Sequence, residues 1–113
     1  MQDIQAHLRS LSMSAQKVRL VVDLVRGMNA NEAMEMLRFV NKAAALPVRK
    51  LLASALANAE ENFGISRDDL YVAKIYANEA PTRKWRRFGA RGRFKPVLRR
   101  TSHVTVVLRE RGS

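Results

Sequence analysis

The chain has 113 residues, 47% of them hydrophobic, and a formal net charge of +11 at pH 7. That is enough for one domain with a core of its own, so the chain is not a wholly disordered basic tail, and little is left over for a deep substrate cleft. The charge calls for a polyanionic partner, nucleic acid or an anionic membrane, and the absence of cysteine removes disulfides and thiolate metal sites.

The position of the charge says more than its sum. Met1 to Pro81 carries 10 Lys/Arg against 9 Asp/Glu, whereas Thr82 to Ser113 carries 11 against 1. The chain therefore reads as a nearly neutral globular body with a cationic part attached. Met1 to His7 lacks a basic start followed by an apolar run, so no secretory signal is expected. No stretch reaches the ~18 consecutive apolar residues that a membrane helix needs. A soluble, cytoplasmic chain is the expectation.

Ile4 to Arg9 alternates apolar and polar with period two, which predicts a short half-buried strand. Ser14 suits the N-cap of a helix running to about Arg26, with Val18, Val21, Val22 and Val25 as its buried stripe. Lys17 and Arg19 point away from that stripe, and Gly27 ends the helix. Asn29 followed by Glu32 resembles a capping box for a short second helix that buries Ala33, Met36, Leu37 and Val40. Asn41 is expected to cap a third, longer helix reaching about Asn62. Pro47 inside it must either kink it or mark its true first turn. Leu51, Leu52, Ala55, Leu56 and Ala59 form its apolar face, and the small residues Ala53, Ser54, Ala55, Ala57 and Ala59 would allow close approach.

Leu70 to Asn78 predicts a strand with Tyr71, Ala73, Ile75 and Ala77 on one face and Leu70, Val72, Lys74 and Tyr76 on the other. A second strong strand is expected from about Leu98 to Leu108, with Ser102, Val104, Val106 and Leu108 on one face. Consecutive strands most often pair, so the roughly twenty residues between them predict a long hairpin, reaching about 30 Å at ~3.3 Å per residue. The predicted class is α+β, with three helices packed on a small antiparallel three-stranded sheet and two strands extended into a long basic β-hairpin. One domain is expected, with a body at 1–80 plus 101–113 and an arm at about 81–100.

Thr82 to His103 holds nine cations, seven of them arginine, and no carboxylate; Trp85, Phe88 and Phe94 sit among them. A two-stranded hairpin outside a core is marginal in water, and nine like charges repel. Such an arm is expected to order on a polyanion that neutralises it. Guanidinium forks pair bidentately with phosphates and stack on bases, and exposed aromatics stack on unpaired bases. The segment therefore reads as a nucleic-acid interface.

No catalytic constellation accompanies it. His7 and His103, the only histidines, lie in separate predicted strands. The adjacent pairs Glu60-Glu61 and Asp68-Asp69 read as solvated charge. There is no glycine loop ending in Gly-Lys-Ser/Thr. Gly89-Ala90-Arg91-Gly92 matches the GxxG of KH domains, but its flanks read as strands where that loop joins helices, so the match reads as chance. No enzyme activity, cofactor, metal or small-molecule substrate is expected.

Four segments resemble the bacterial large-subunit ribosomal protein L-twenty-two family: Ser14-Ala15-Gln16-Lys17-Val18-Arg19-Leu20-Val21 with Arg26-Gly27; Ser54 to Asn62; Ala90-Arg91-Gly92-Arg93; and Arg99 to Leu108. The resemblance spans almost the whole length. It implies a structural component of the large subunit, with a body near the tunnel exit. The hairpin threads between segments of 23S rRNA, and its tip lines the nascent-peptide tunnel. It implies a role in subunit assembly and three partners: 23S rRNA, neighbouring large-subunit proteins and the nascent polypeptide. Phe88-Gly89-Ala90 stands where members often carry Pro-Arg-Ala, and Ala80 stands where a glycine is common before Pro81.

On this reading Lys17, Arg19, Arg83, Lys84, Arg86, Arg87, Arg99 and Arg100 bind rRNA phosphates, Trp85 and Phe88 stack on bases, and Thr101, Ser102 and His103 complete the contact stretch. Gly89, Ala90, Arg91, Gly92 and Arg93 form the tunnel-facing tip. Two other readings use the same arm. A free nucleic-acid chaperone or nucleoid-type protein would wash off the large subunit in high salt. A membrane-active cationic protein would need a basic amphipathic helix, and here the cations sit in a predicted hairpin.

Overall fold

The computed structural model describes residues 3–80, 83–88 and 94–111. In chain order these form β1 (Ile4–Leu11), α1 (Ala15–Val25), α2 (Ala30–Phe39), α3 (Ala45–Phe63), a short 3-10 turn (Arg67–Asp69), β2 (Leu70–Glu79), β3 (Arg83–Phe88), β4 (Phe94–Arg99) and β5 (Ser102–Glu110). The body is an antiparallel sheet in the order β1-β5-β2 with the three helices packed against it; β3 and β4 make a separate two-stranded sheet.

Ser14 caps α1 as expected, its Oγ accepting from the Lys17 amide at 3.4 Å. Four of the 11 residues of α1 are valines, and all four are fully buried. β-Branched side chains lose χ1 freedom in a helix, so this helix is held by packing against β2 rather than by propensity. Gly27 then takes φ +84, a left-handed conformation that costs glycine nothing.

The second and third helices differ from expectation in detail. Asn29 sits at the N-cap of α2 but makes no side-chain cap, so the capping box does not form. Its backbone instead bridges to Tyr71 on β2. Met36 is exposed, while Met34, one residue off the expected stripe, packs against the core with Val40. α3 begins at Ala45 rather than after Asn41, which places Pro47 in the first turn, where its missing amide hydrogen costs no helical bond. Ala55 and Ala59 lie on the buried face with Leu51, Leu52 and Leu56, whereas Ala53, Ser54 and Ala57 face solvent. Gly64 closes the helix at φ +65, its amide returning to the Ala59 carbonyl.

The sheet contains two irregularities that period-two reading does not anticipate. On β2 a register shift between Val72 and Lys74 absorbs one residue, so Leu70 and Val72 before it and Ile75 and Ala77 after it are all buried. The predicted grouping of Leu70 and Val72 opposite Ile75 and Ala77 is thus replaced by one buried set, because a bulge inverts the alternation downstream. On β1 a second shift lies between Leu8 and Leu11, where Ser10 takes φ 56 and its amide donates to His103 Nδ1 at 2.9 Å. The long last strand is divided, with β4 ending at Arg99 and β5 starting at Ser102.

Two expected outcomes follow from this packing. Leu56 is fully buried in the single core cluster, so Leu56→Ala should lower unfolding free energy in urea by about 2–5 kcal/mol; a loss under 1 kcal/mol contradicts the packing described. At one end of the β1–β5 pair, Arg109 Nε donates to Asp3 Oδ1 at 2.6 Å. That hydrogen bond holds the Asp3 carboxyl below the usual carboxylate value. A depressed pKa means the contribution is present at neutral pH and is lost as pH falls through the folded-state value. Asp3→Asn should therefore lower stability at neutral pH and flatten its decline in acid, measured by melts between neutral pH and the acid limit.

Candidate nucleic-acid interface

The expected interface residues fall into two groups: a stem and tip in the arm, and positions on the body. In the stem, β3 and β4 pair antiparallel with Arg83 opposite Arg99, Lys84 opposite Leu98, Trp85 opposite Val97, Arg86 opposite Pro96, Arg87 opposite Lys95 and Phe88 opposite Phe94. Two of these six pairs set cation against cation. Like charges directly opposite in a ladder destabilise it, and no carboxylate lies in either strand to offset them. The tip residues Gly89, Ala90, Arg91, Gly92 and Arg93 lie outside the described residues.

The arm is fastened to the body where β5 begins. The Ala80 amide donates to the Thr101 carbonyl at 3.0 Å. Arg100 is exposed and Thr101 half-buried. Ser102 lies on the face expected for it and is fully buried there, and its hydroxyl has no hydrogen-bond partner among the described residues. The cause is alternation, since Ser102 shares the core face with Val104 and Val106. His103 is half-buried, and its Nδ1 is taken by the Ser10 amide. His7 Nδ1 lies 3.1 Å from Thr105 Oγ1 on the neighbouring strand. Both histidines therefore serve the sheet.

On the body, Lys17 and Arg19 are both exposed on α1 but are not equivalent. Arg19 Nε donates to the Ala77 carbonyl at 3.1 Å, and Arg26 Nη2 donates to the Ile75 carbonyl at 2.7 Å. These carbonyls belong to β2, an edge strand. The same edge is met further on by the Gly27 amide on the Val72 carbonyl and by the Val72 amide on the Met28 carbonyl, each at 2.8 Å. Unpaired sheet edges invite pairing with other chains. Here α1 and the turn after it close the edge, and two guanidinium groups supply donors that no strand provides. Arg19 thus has a structural duty that sequence reading missed, because it depends on which strand lies at the edge. Lys17 makes no ion pair among the described residues.

No cluster of metal-ligating side chains and no helix long and apolar enough to cross a membrane occurs among the described residues. The family model described as "Ribosomal protein L22p/L17e" matches residues 6–109, from the first strand through the arm to the last strand. The chain belongs to this family. A relative from Pediococcus pentosaceus, named "Large ribosomal subunit protein uL22", is 46% identical over 107 residues, covering 95% of this chain and 91% of its own. Proteins of the same name from Staphylococcus haemolyticus and Staphylococcus epidermidis are 46% identical over 106 residues, covering 94% of this chain and 91% of theirs. The L22p/L17e assignment takes in the central strand and both stem strands, so the cationic register pairs belong to the family domain rather than to an appended tail.

The edge closure carries its own test. Arg19→Ala and Arg26→Ala should each lower stability by about 1 kcal/mol, the usual net value of one such hydrogen bond. The double variant should also show concentration-dependent light scattering as the β2 edge opens. An unchanged melt for both single variants contradicts the role given to these guanidinium groups.

Proposed function

We propose that the chain is a structural, non-catalytic constituent of the large ribosomal subunit that binds 23S rRNA through its arm and supports subunit assembly. The observation that carries this is the stem register. Arg83 faces Arg99 and Arg87 faces Lys95 across a ladder with no acidic residue. A protein would not maintain this arrangement for its own stability, but phosphates on either side convert each repulsive pair into a double contact. The family membership and the uL22 relatives, whose names place them in the large subunit, agree with the same reading.

Within it, Arg83, Lys84, Arg86, Arg87, Arg99 and Arg100 neutralise phosphates along the stem, with Trp85 and Phe88 offering stacking surfaces. Lys17 adds a contact from α1, and Arg19 adds one through the guanidinium nitrogens not used on Ala77. Thr101 and His103 hold the root of the arm in place, and Ser102 acts from inside the body rather than by touching RNA. The tip, Gly89 to Arg93, meets the nascent polypeptide in the exit tunnel. Neighbouring large-subunit proteins are the remaining partners. The chain works in the cytoplasm on the ribosome.

Neutralising roughly six phosphates predicts that log K against log salt falls with a slope of about −4 to −5. Arg87→Ala should reduce that slope by about 0.7–0.9. Arg87→Glu, which sets opposite charges across the ladder, should weaken rRNA binding further while leaving the melt of the free protein unchanged or higher. A slope near zero on deproteinised 23S rRNA overturns the electrostatic account. Retention on large subunits after a high-salt wash is expected; complete release favours the free-chaperone reading.

A further inference from the structure

Apart from the arm, the surface holds a half-open groove of about 360 Å³ lined by Met13, Lys17, Leu20, Lys42, Ala43 and Ala44. Three elements build it: the turn before α1, the outer face of α1, and the turn that leads into α3. Its floor is apolar. Met13 is half-buried against the core and Ala44 is buried, while Leu20 remains 59% exposed although it is a large aliphatic side chain. Its rim is cationic. Lys17 lies one turn before Leu20 on the same helix face, and its backbone is fixed by the Ser14 cap. Lys42 stands on the opposite turn, its carbonyl accepting from the Ala45 amide at 3.1 Å.

The charges of this groove are uncommitted among the described residues, as are Arg9, Arg49, Lys50 and Lys74, but only here do two of them flank an apolar floor. Arg26, Arg38, Arg67 and Arg109 each pair with a carboxylate, and Arg19 and Arg111 donate to backbone carbonyls. Lys17 and Lys42 do neither among the described residues, and no carboxylate lines the groove. An open apolar floor between two free ammonium groups suits a ligand with a flat apolar body and an anionic group beside it. The N-terminus of α3, just beyond Ala44, has no side-chain cap and no acidic residue in its first turn, so its dipole adds to the attraction for an anion.

We propose that this groove is a nucleotide subsite. It receives one unpaired, extruded nucleotide of the rRNA, with the base lying on Met13, Leu20 and Ala43 and the phosphate held between Lys17 and Lys42. Sequence-specific RNA recognition favours such splayed bases, because a stacked helix hides their faces. The inference rests on the rRNA-binding reading above and adds a second contact that fixes the body independently of the arm. A peptide segment fits less well, since an apolar peptide would leave both ammonium groups unpaired.

The test uses the full chain and deproteinised 23S rRNA, with a binding titration and chemical probing of unpaired bases. Ala43→Phe fills the groove without changing charge. Leu20→Ser removes part of the floor at an exposed position and carries the test if Ala43→Phe does not fold. In both variants one base protected by the unaltered chain should become reactive again. Affinity should fall about ten-fold, in the range of one lost base contact, with the salt slope unchanged because no cation is removed. Lys17→Ala should instead lower the slope. Protection and affinity equal to the unaltered chain in a folded variant overturn the subsite and leave the rRNA-binding reading intact. Variants that bind bare rRNA normally but fail to enter the large subunit overturn it in favour of a protein occupant. If the unaltered chain itself shows no salt-dependent binding, the rRNA-binding reading fails first.

Discussion

Strand β5 is the constraint on which the rest depends. It is hydrogen-bonded on both edges, to β1 and to β2, and Val104, Val106 and Leu108 are fully buried beneath the helices. α3 packs on it and on β1, while α1 packs chiefly on β2. The same strand begins immediately after the arm returns, so the arm's root is anchored in the most buried strand of the body. A hairpin with a repulsive register cannot position itself. Its direction is inherited from β5, through the Ala80–Thr101 hydrogen bond and the enclosed Ser102.

Charge is divided along the chain in a way that separates folding from binding. The first 81 residues are almost balanced, so the core forms without net repulsion. The arm carries most of the excess, where it opposes folding but favours a polyanion. The buried valines of α1 and leucines of α3 all lie within this balanced part of the chain.

Much of this was legible in the sequence, and the parts that were not share a cause. The α1 stripe, its Ser14 cap and Gly27 were all visible because each depends on local geometry. The uneven division of charge along the chain is a fact of the sequence itself. The face assignment of β2 failed at the register shift near Ala73, because a bulge leaves no mark in a run of alternating residues. The start of α3 slipped because Asn41 is a good capping residue by type, while Pro47 fixed the first turn by geometry. For the proposed interface, composition pointed to the arm, but the opposition of Arg83 to Arg99 and Arg87 to Lys95 needed the register. Two further features are tertiary: the full burial of Ser102 is set by the strand it starts, and Arg19 also reaches an edge that only the sheet order defines.

The contrast between arginine and lysine on the body is the last consequence of that sheet order. A strand edge that must be closed without another strand needs donors that reach backbone carbonyls from a neighbouring helix. Guanidinium does this well because it can donate from one nitrogen and keep others for solvent or a second partner. Arg19 on α1 and Arg26 just after it occupy those positions, and Arg111 does the same at the Gly27 carbonyl while stacking over Tyr71 at 4.4 Å. Lysine, a compact point charge on a flexible stem, is left for positions where nothing internal competes for it. Four of the body's arginines are offset by a carboxylate, whereas those that donate only to carbonyls keep their charge. Lys17 and Lys42 make neither kind of contact among the described residues, and they are the pair on which the proposed subsite rests.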